Sequence, residues 1–404
     1  MAWKEVKLED IAFVTMGQSP KSEFYNENKE GLPFFQGRTE FGEYYPNIKM
    51  YTSHITRIAK KNDILFTVRA PVGDMNFSNC ECCIGRGLAS IRSRNMDEQR
   101  FLYYLLKLSV EKILTLSNGT VYDSINSSEL KSFKLLIPNK KDNRLKIAKL
   151  LSNYDDLIEN NSKRIKLLEA MAEEIYKEWF VRLRFPNYQN TKIEDGIPQG
   201  WEEKTINKLC EVTSSKRIFS SEYIEKGIPF FRGKEITLKS NNKSIDDILY
   251  IKQEKYEEIK KSFGVPKEKD ILLTAVGTIG SIYSVKKSDD EFYFKDGNLI
   301  WLKNFNNEVE YFIYYFMKSE EIQNKLENIS IGSSQKALTI DSIKKITVIV
   351  PTNDIIILFN KLIEPILKEI DILQQKNQTL KQTRDLLLPR LLSGKLDIEK
   401  LDIN

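Results

Sequence analysis

Leu32-Pro33-Phe34-Phe35-Gln36-Gly37-Arg38 returns in the second half of the chain as Ile228-Pro229-Phe230-Phe231-Arg232-Gly233-Lys234. The match is not isolated. Upstream, Trp3-Lys4-Glu5 with Val14-Thr15 corresponds to Trp201-Glu202-Glu203 with Val212-Thr213. Downstream, Asp63-Ile64-Leu65-Phe66-Thr67 with Gly73 corresponds to Asp270-Ile271-Leu272-Leu273-Thr274 with Gly280. Farther on, Gly119, Ile125, Phe133 and Pro138 correspond to Gly332, Leu338, Ile346 and Pro351. Four blocks in one order, with a period of roughly 210 residues, mark an internal duplication.

Each copy divides into a mixed region and a helical tail. In the mixed regions, apolar β-rich runs (Ile64 to Val68, Lys134 to Ile137, Ile271 to Val276, Ile346 to Val350) are bounded by Gly, Pro, Asn and Ser. Helix-like stretches lie between them, from Arg100 to Leu116 and from Glu310 to Glu327. The tails, Lys146 to Phe180 and Ile356 to Leu392, lack glycine and carry apolar residues at helical spacing.

The tails read in heptads. In the first, one column is Leu151, Ile158, Ile165, Ala172, Trp179 and its neighbour is Ile147, Tyr154, Asn161, Leu168, Ile175. In the second, the columns are Ile363, Ile370, Asn377, Arg384, Leu391 and Phe359, Ile366, Leu373, Leu380, Leu387. Such columns form a coiled-coil seam. Pro365 predicts a kink near the start of the second helix, and Arg384 interrupts an apolar column. Antiparallel pairing places Asn161 opposite Asn377, Ile165 opposite Leu373 and Ile158 opposite Leu380. It also places Leu168 opposite Ile370 and Trp179 opposite Phe359. A buried Asn pair costs stability but fixes register. The expected fold class is α+β. Two tandem globular domains (1–142 and 191–354) are each followed by a helix-bearing spacer (143–190 and 355–404). The two helices pack as an antiparallel coiled coil with pseudo-two-fold symmetry.

Composition narrows the function. The 404 residues are 41% hydrophobic and 29% charged, with net charge +5; mean hydropathy is −0.41 and the pI about 8.7. This mild basicity suits localised phosphate contacts rather than wholesale neutralisation. No run of about 18 apolar residues exists, and Met1-Ala2-Trp3-Lys4-Glu5 is polar where a signal peptide needs an apolar stretch. No membrane association and a cytoplasmic location are expected. Cys80, Cys82 and Cys83 cluster, but Cys210 is distant and His54 is the sole histidine, so reduced thiols on a strand fit better than zinc. There is no G-x-x-x-x-G-K-[ST] phosphate loop and no G-x-G-x-x-G between strand and helix. Phe185-Pro186-Asn187-Tyr188 has the wrong order for the Asn/Asp-Pro-Pro-Tyr/Phe motif of adenine methyltransferases. No catalysis, cofactor or metal is expected of this chain alone.

Two α+β domains in tandem, each with a long helix, resemble the specificity (S) subunits of type I restriction–modification systems over the whole chain. Local strings carry the resemblance. Lys149-Leu150-Leu151-Ser152 with Asp155-Asp156, then Lys177-Glu178-Trp179-Phe180, is similar to the central conserved helix of that family. Gly196-Ile197-Pro198-Gln199-Gly200-Trp201 is similar to the entry into its second recognition domain, and Leu388-Pro389-Arg390-Leu391-Leu392-Ser393-Gly394-Lys395-Leu396 to its C-terminal ending. The start departs from the pattern: Met1-Ala2-Trp3 lacks the Pro-x-Gly-Trp lead-in seen before Trp201. The resemblance implies that each α+β domain is a target recognition domain reading one half of a bipartite, asymmetric DNA site. The helices would fix half-site spacing and dock two methyltransferase (M) subunits, with restriction/translocase (R) subunits joining through the complex, an adenine-N6 methyltransferase/restriction endonuclease. A helix of about 35 residues spans roughly 50 Å, enough to hold two readers about one to one-and-a-half DNA turns apart. A fused methylase–nuclease system, a complete enzyme and a coiled-coil scaffold without DNA are the alternatives.

Base reading calls for Arg or Lys on guanine and Asn or Gln on adenine. The matched turns offer Gln36 and Arg38 in one half and Arg232 and Lys234 in the other. The plainer reading makes the phenylalanines core, the glycines turn-formers and the charges solvated. A second candidate pair is the loop Asn118-Gly119-Thr120-Val121-Tyr122 and its counterpart Gly332-Ser333-Ser334-Gln335-Lys336. Arg69, Arg86, Lys216 and Arg217 complete the set.

Overall fold

In each repeat the first strand pairs with the last. Trp3–Lys7 runs antiparallel to Lys134–Pro138 with Val6 opposite Leu135, and Glu202–Thr205 runs antiparallel to Thr347–Val350 with Lys204 opposite Val348. Lys134, Leu135, Leu136 and Ile137 alternate exposed and buried, as do Thr347, Val348, Ile349 and Val350, the period of a strand with one covered face. The structure is a computed structural model and describes residues 2–115, 124–243, 245, 247–330 and 337–401. The chain divides into two compact units, Met1–Glu159 with Asn377–Asn404, and Asn160–Lys376.

The two units have the same plan. The first contains a four-stranded sheet ordered Ala12–Met16, Leu88–Ser93, Ile64–Thr67, Met75–Phe77; the second has Glu211–Thr213, Leu299–Lys303, Ile271–Thr274, Ile282–Ser284 in the same order. A further sheet carries a parallel pair in both, Phe34 beside Cys83 with Phe35 beside Ile84, and Phe230 beside Tyr293 with Phe231 beside Phe294. All four phenylalanines of the matched turns are buried, so that part of the motif is core. Cys82 and Cys83 lie on a buried strand and are free thiols. The units diverge after the turn: the first forms only a short 3-10 segment, Arg38–Glu40, whereas the second builds helices Gly233–Ser240 and Gln253–Ser262.

An aspartate heads the equivalent central strand in each unit, with different partners. Asp63 accepts from Arg92 Nε at 2.6 Å and Nη2 at 2.7 Å and from Ser90 Oγ at 2.6 Å. Asp270 accepts from Trp301 Nε1 and from the Lys267 amide, both at 2.9 Å. Burial pushes the Asp270 carboxyl up to about 6, outweighing those two donors, which lower it. A carboxyl raised in the folded state favours folding while protonated. Its contribution is therefore complete below about pH 4 and lost as pH rises through about 6. Asp270→Asn should gain on the wild type across that window, by up to about 3 kcal/mol; a stability difference between the two chains that stays flat with pH would refute this.

The helix-like stretch from Glu310 to Glu327 is two helices, Glu310–Lys318 and Glu320–Ile329, rather than one. Ser319 between them is extended (φ −60°, ψ 147°). Its amide and hydroxyl both bond back to Phe316 O, ending the first helix, and its carbonyl accepts from Gln323 N–H inside the second. Amphipathic periodicity continues across the break, which is why the sequence reads as continuous.

The first long helix spans Lys141–Tyr176 and the second Asn353–Leu392. The second is unbroken across Pro365, an exposed position that forgoes one backbone hydrogen bond. In the first unit, Ile147 and Leu151 share an apolar cluster with Leu388 and Leu391; Ile158 and Asn377 are buried, Leu380 is half-buried, and Asn377 Nδ2 donates to Ile158 O at 3.4 Å. In the second unit, Ile165, Ala172 and Tyr176 cluster with Phe359, Ile363, Ile370 and Leu373, with Leu168 and Trp179 against them. The Trp179 and Phe359 rings are 6.0 Å apart, and Arg164 reaches Glu369 at 2.9 Å. Within each unit, rising numbers on one helix meet falling numbers on the other, so the segments run antiparallel. Asn161 is half-buried.

Candidate nucleic-acid interface

In the first unit the matched turn is held from below. Buried Phe34 and Phe35 end their strand, and the amides of Gln36 and Gly37 donate to Glu40 Oε2 at 3.2 and 3.0 Å. Glu40 thus fixes the turn while Gln36 and Arg38 stay exposed. A second turn, Gly85-Arg86-Gly87, backs onto it: Gly85 N–H donates to Phe35 O at 2.8 Å. A Cβ on Gly87 would come within 2.3 Å of Gln36 O, so the two backbones touch only because Gly87 has no side chain. Arg86 is exposed, its amide anchored on Ser19 Oγ at 3.1 Å.

A third loop joins them. Val68 N–H donates to Gly87 O at 2.9 Å, placing Arg69 beside the two turns. Thr67 braces this loop, its hydroxyl donating to Pro71 O at 2.8 Å and accepting from Asp74 N–H at 2.9 Å. Arg38 Nε lies 2.9 Å from Asp74 Oδ2 in a solvent-exposed pair. Such pairs contribute about 0–1 kcal/mol, so the guanidinium can exchange this partner for a base or phosphate. Gln36, Arg38, Arg69 and Arg86 therefore share one rim. Arg69 forms a backbone bridge with Ser124, just past the Asn118 to Tyr122 loop; that loop, with Tyr122, lies outside the described residues.

The second unit repeats the bracing. Thr274 Oγ1 donates to Thr278 O at 2.5 Å and accepts from Ser281 N–H at 2.9 Å. Ala275 N–H donates to Asn298 O, and Val276 bridges Ala337 as Arg69 bridges Ser124. Gly73 and Gly280 close the two loops at φ +101° and +87°, a region that favours glycine. The Thr and Gly positions recur in the sequence of both halves, but the role of the threonine hydroxyl as the brace has no local sequence signal.

The candidate side chains differ between the units. Arg232, at the place of Gln36, is turned onto the fully buried Glu235, through Nε at 3.1 Å and Nη2 at 2.6 Å. Burial alone would raise the Glu235 carboxyl, but the side-chain and backbone donors of Arg232 hold it below the usual range. Lys234, at the place of Arg38, is exposed. Arg217 is exposed and pairs with Asp296 at 2.8 Å, on the turn whose Lys295 amide bonds Phe231 O. Lys216 directs its Nζ over the Phe263 ring at 4.9 Å, and its amide donates to the Tyr293 hydroxyl at 2.7 Å. The geometry brings Arg217, Arg232 and Lys234 to one set of turns and commits Arg232 inward; Gln335 and Lys336 lie outside the described residues.

A family model for the type I restriction modification DNA specificity domain matches residues 2–170 and again residues 198–382. The chain belongs to this family. Its two copies of the specificity domain make it an S subunit in architecture. It is 28% identical over 420 residues to the type I restriction enzyme MjaIX specificity subunit of Methanocaldococcus jannaschii, covering 99% of this chain and 94% of that one. It is 22% identical over 423 residues to the HindI specificity subunit of Haemophilus influenzae, covering 87% and 90%. The fold matches the S subunit of a type I restriction–modification system from M. genitalium with TM-score 0.59 at 19% identity, covering 96% of each chain. Among the described residues, no helix of this S subunit is long and apolar enough to cross a membrane.

Proposed function

We propose that this chain is the DNA-reading subunit of a type I restriction–modification complex, with each unit reading one half of a bipartite, asymmetric site on double-stranded DNA. One observation carries the reading: both units brace the same three turns in the same way, yet present different side chains on them. Gln36 stands where the second unit has Arg232, Arg38 where it has Lys234, and Arg69 where it has Val276. A constant frame with variable tips is what two readers of different sequences need. The chain itself is non-catalytic. It supplies specificity to an adenine-N6 methyltransferase built from two M subunits docked on the long helices, which also set half-site spacing, with R subunits joining for cleavage in the cytoplasm.

Sequencing methylated adenines in a host that expresses this chain with its M subunit tests the whole reading, since one motif reports both half-sites and their spacing. A single unsplit motif, or methylation without sequence preference, would end it. In the same assay Arg38→Ala should relax choice at one position of one half-site, by about 1–3 kcal/mol of discrimination if the guanidinium is bidentate to guanine. An unchanged motif at an unchanged rate removes Arg38 from the readers.

A further inference from the structure

Asp155 and Arg384 are the only buried charged side chains on the long helices among the described residues. Arg384 Nη1 donates to Asp155 Oδ1 at 2.5 Å. Tyr44 donates to the same oxygen at 2.9 Å, and Tyr104 to Asp155 Oδ2. Tyr44 also accepts from Arg384 Nη1 at 3.2 Å. The carboxylate is fully satisfied, and both helices are tied at this layer to the globular part of the first unit.

The repeat makes this layer informative. With the two helices aligned as repeats, Leu151 on Ile363, Arg384 falls at the place of Ala172 and Asp155, just outside the columns, at the place of Leu367. Ala172 is buried in the apolar cluster of the second unit, Leu367 packs against that cluster, and neither of these two residues is charged. The seam is therefore solved twice, once as Asp/Arg and once as Leu/Ala. Because the helices are copies of one another, each could also fill the seam by pairing antiparallel with a second copy of itself. The first helix would then set Asp155 against Ala172 twice over, and the second would set Arg384 against Leu367 twice over. Both mismatches bury an uncompensated charge, which costs far more than a matched ion pair gains.

We propose that the Asp155–Arg384 layer is a partner-selection device: it confines each long helix to the other and rejects pairing with a second copy of itself. The layer's value lies in discrimination, since a matched apolar layer of similar volume is often as stable as a buried ion pair.

Four full-length chains test this, all in a Tyr44→Phe/Tyr104→Phe background that removes the two hydroxyls otherwise left without their acceptor. They carry Asp/Arg as in the native layer, D155L/R384A to reproduce the layer of the second unit, R384A to reproduce the first mismatch, and D155L to reproduce the second. The two matched chains should melt within about 2 °C of each other, and each mismatched chain lower by on the order of 5–10 °C. If the mismatched chains fail to fold, recovery of a cooperative melt in D155L/R384A supports the proposal equally. A doubly substituted chain that melts as low as the two single losses combined would overturn it, as would single substitutions that leave the midpoint unmoved.

Discussion

Phe359→Ala should cost the second unit about 3–5 kcal/mol, the range for deleting a large aromatic side chain from a core that cannot close around the void. Phe359 is fully buried on the inner face of the second long helix. Its ring lies 4.9 Å from Phe180, 6.0 Å from Trp179, 6.2 Å from Tyr315 and 6.4 Å from Tyr176. These neighbours come from the first long helix, the turn after it and a helix of the globular part, so one truncation loosens the packing of three elements at once. Rigid aromatic neighbours on separate elements cannot collapse inward as a single flexible chain would. The next residue is the control. Leu358 points outward and is 39% exposed, so Leu358→Ala should move stability by no more than about 0.5 kcal/mol. Chemical denaturation of both chains measures the contrast, and equal midpoints would show that the seam is not where the sequence columns and the apolar cluster put it.

Those columns were readable because helix packing is periodic and the periodicity is written locally. The same holds for the duplicated strands, whose alternation at Lys134 to Ile137 and Thr347 to Val350 records one covered face. Legibility stops where a residue's meaning depends on a partner far away in the chain. Arg384 reads as an intruder in an apolar column until Asp155 and Tyr44 are beside it, and neither stands in a seam column. Ser319 breaks a helix whose amphipathic pattern continues on both sides, because the break turns on where one hydroxyl and one amide bond. The functional rim shows both situations. Glycine and threonine recurred visibly in both halves, since a backbone close approach and a loop brace demand those residue types. Which cations remain free to meet DNA is not visible in the sequence, because the acids that occupy Arg38, Arg232 and Arg217, namely Asp74, Glu235 and Asp296, are set by tertiary geometry.

That distinction yields opposite outcomes for one motif position. Arg232→Ala should destabilise the second unit by about 2–4 kcal/mol, because it strands a buried carboxylate. Glu235 would keep only backbone donors, among them the residue-232 amide at 2.7 Å, for a side chain with no access to water. Gln36→Ala, at the same place in the first unit, should leave stability within about 0.5 kcal/mol, because Gln36 is exposed and only its backbone amide holds Glu40. Its effect should fall instead on the choice of base in one half-site. Arg232→Ala combined with Glu235→Ala should recover much of the lost stability, since the charge left unpaired by the first change is removed by the second. Melting curves for the three variants, read beside the methylated motif, separate a structural cation from a reading one. A stable Arg232→Ala chain whose second half-site has changed would reverse the assignment, making Arg232 a reader that leaves Glu235 when DNA binds.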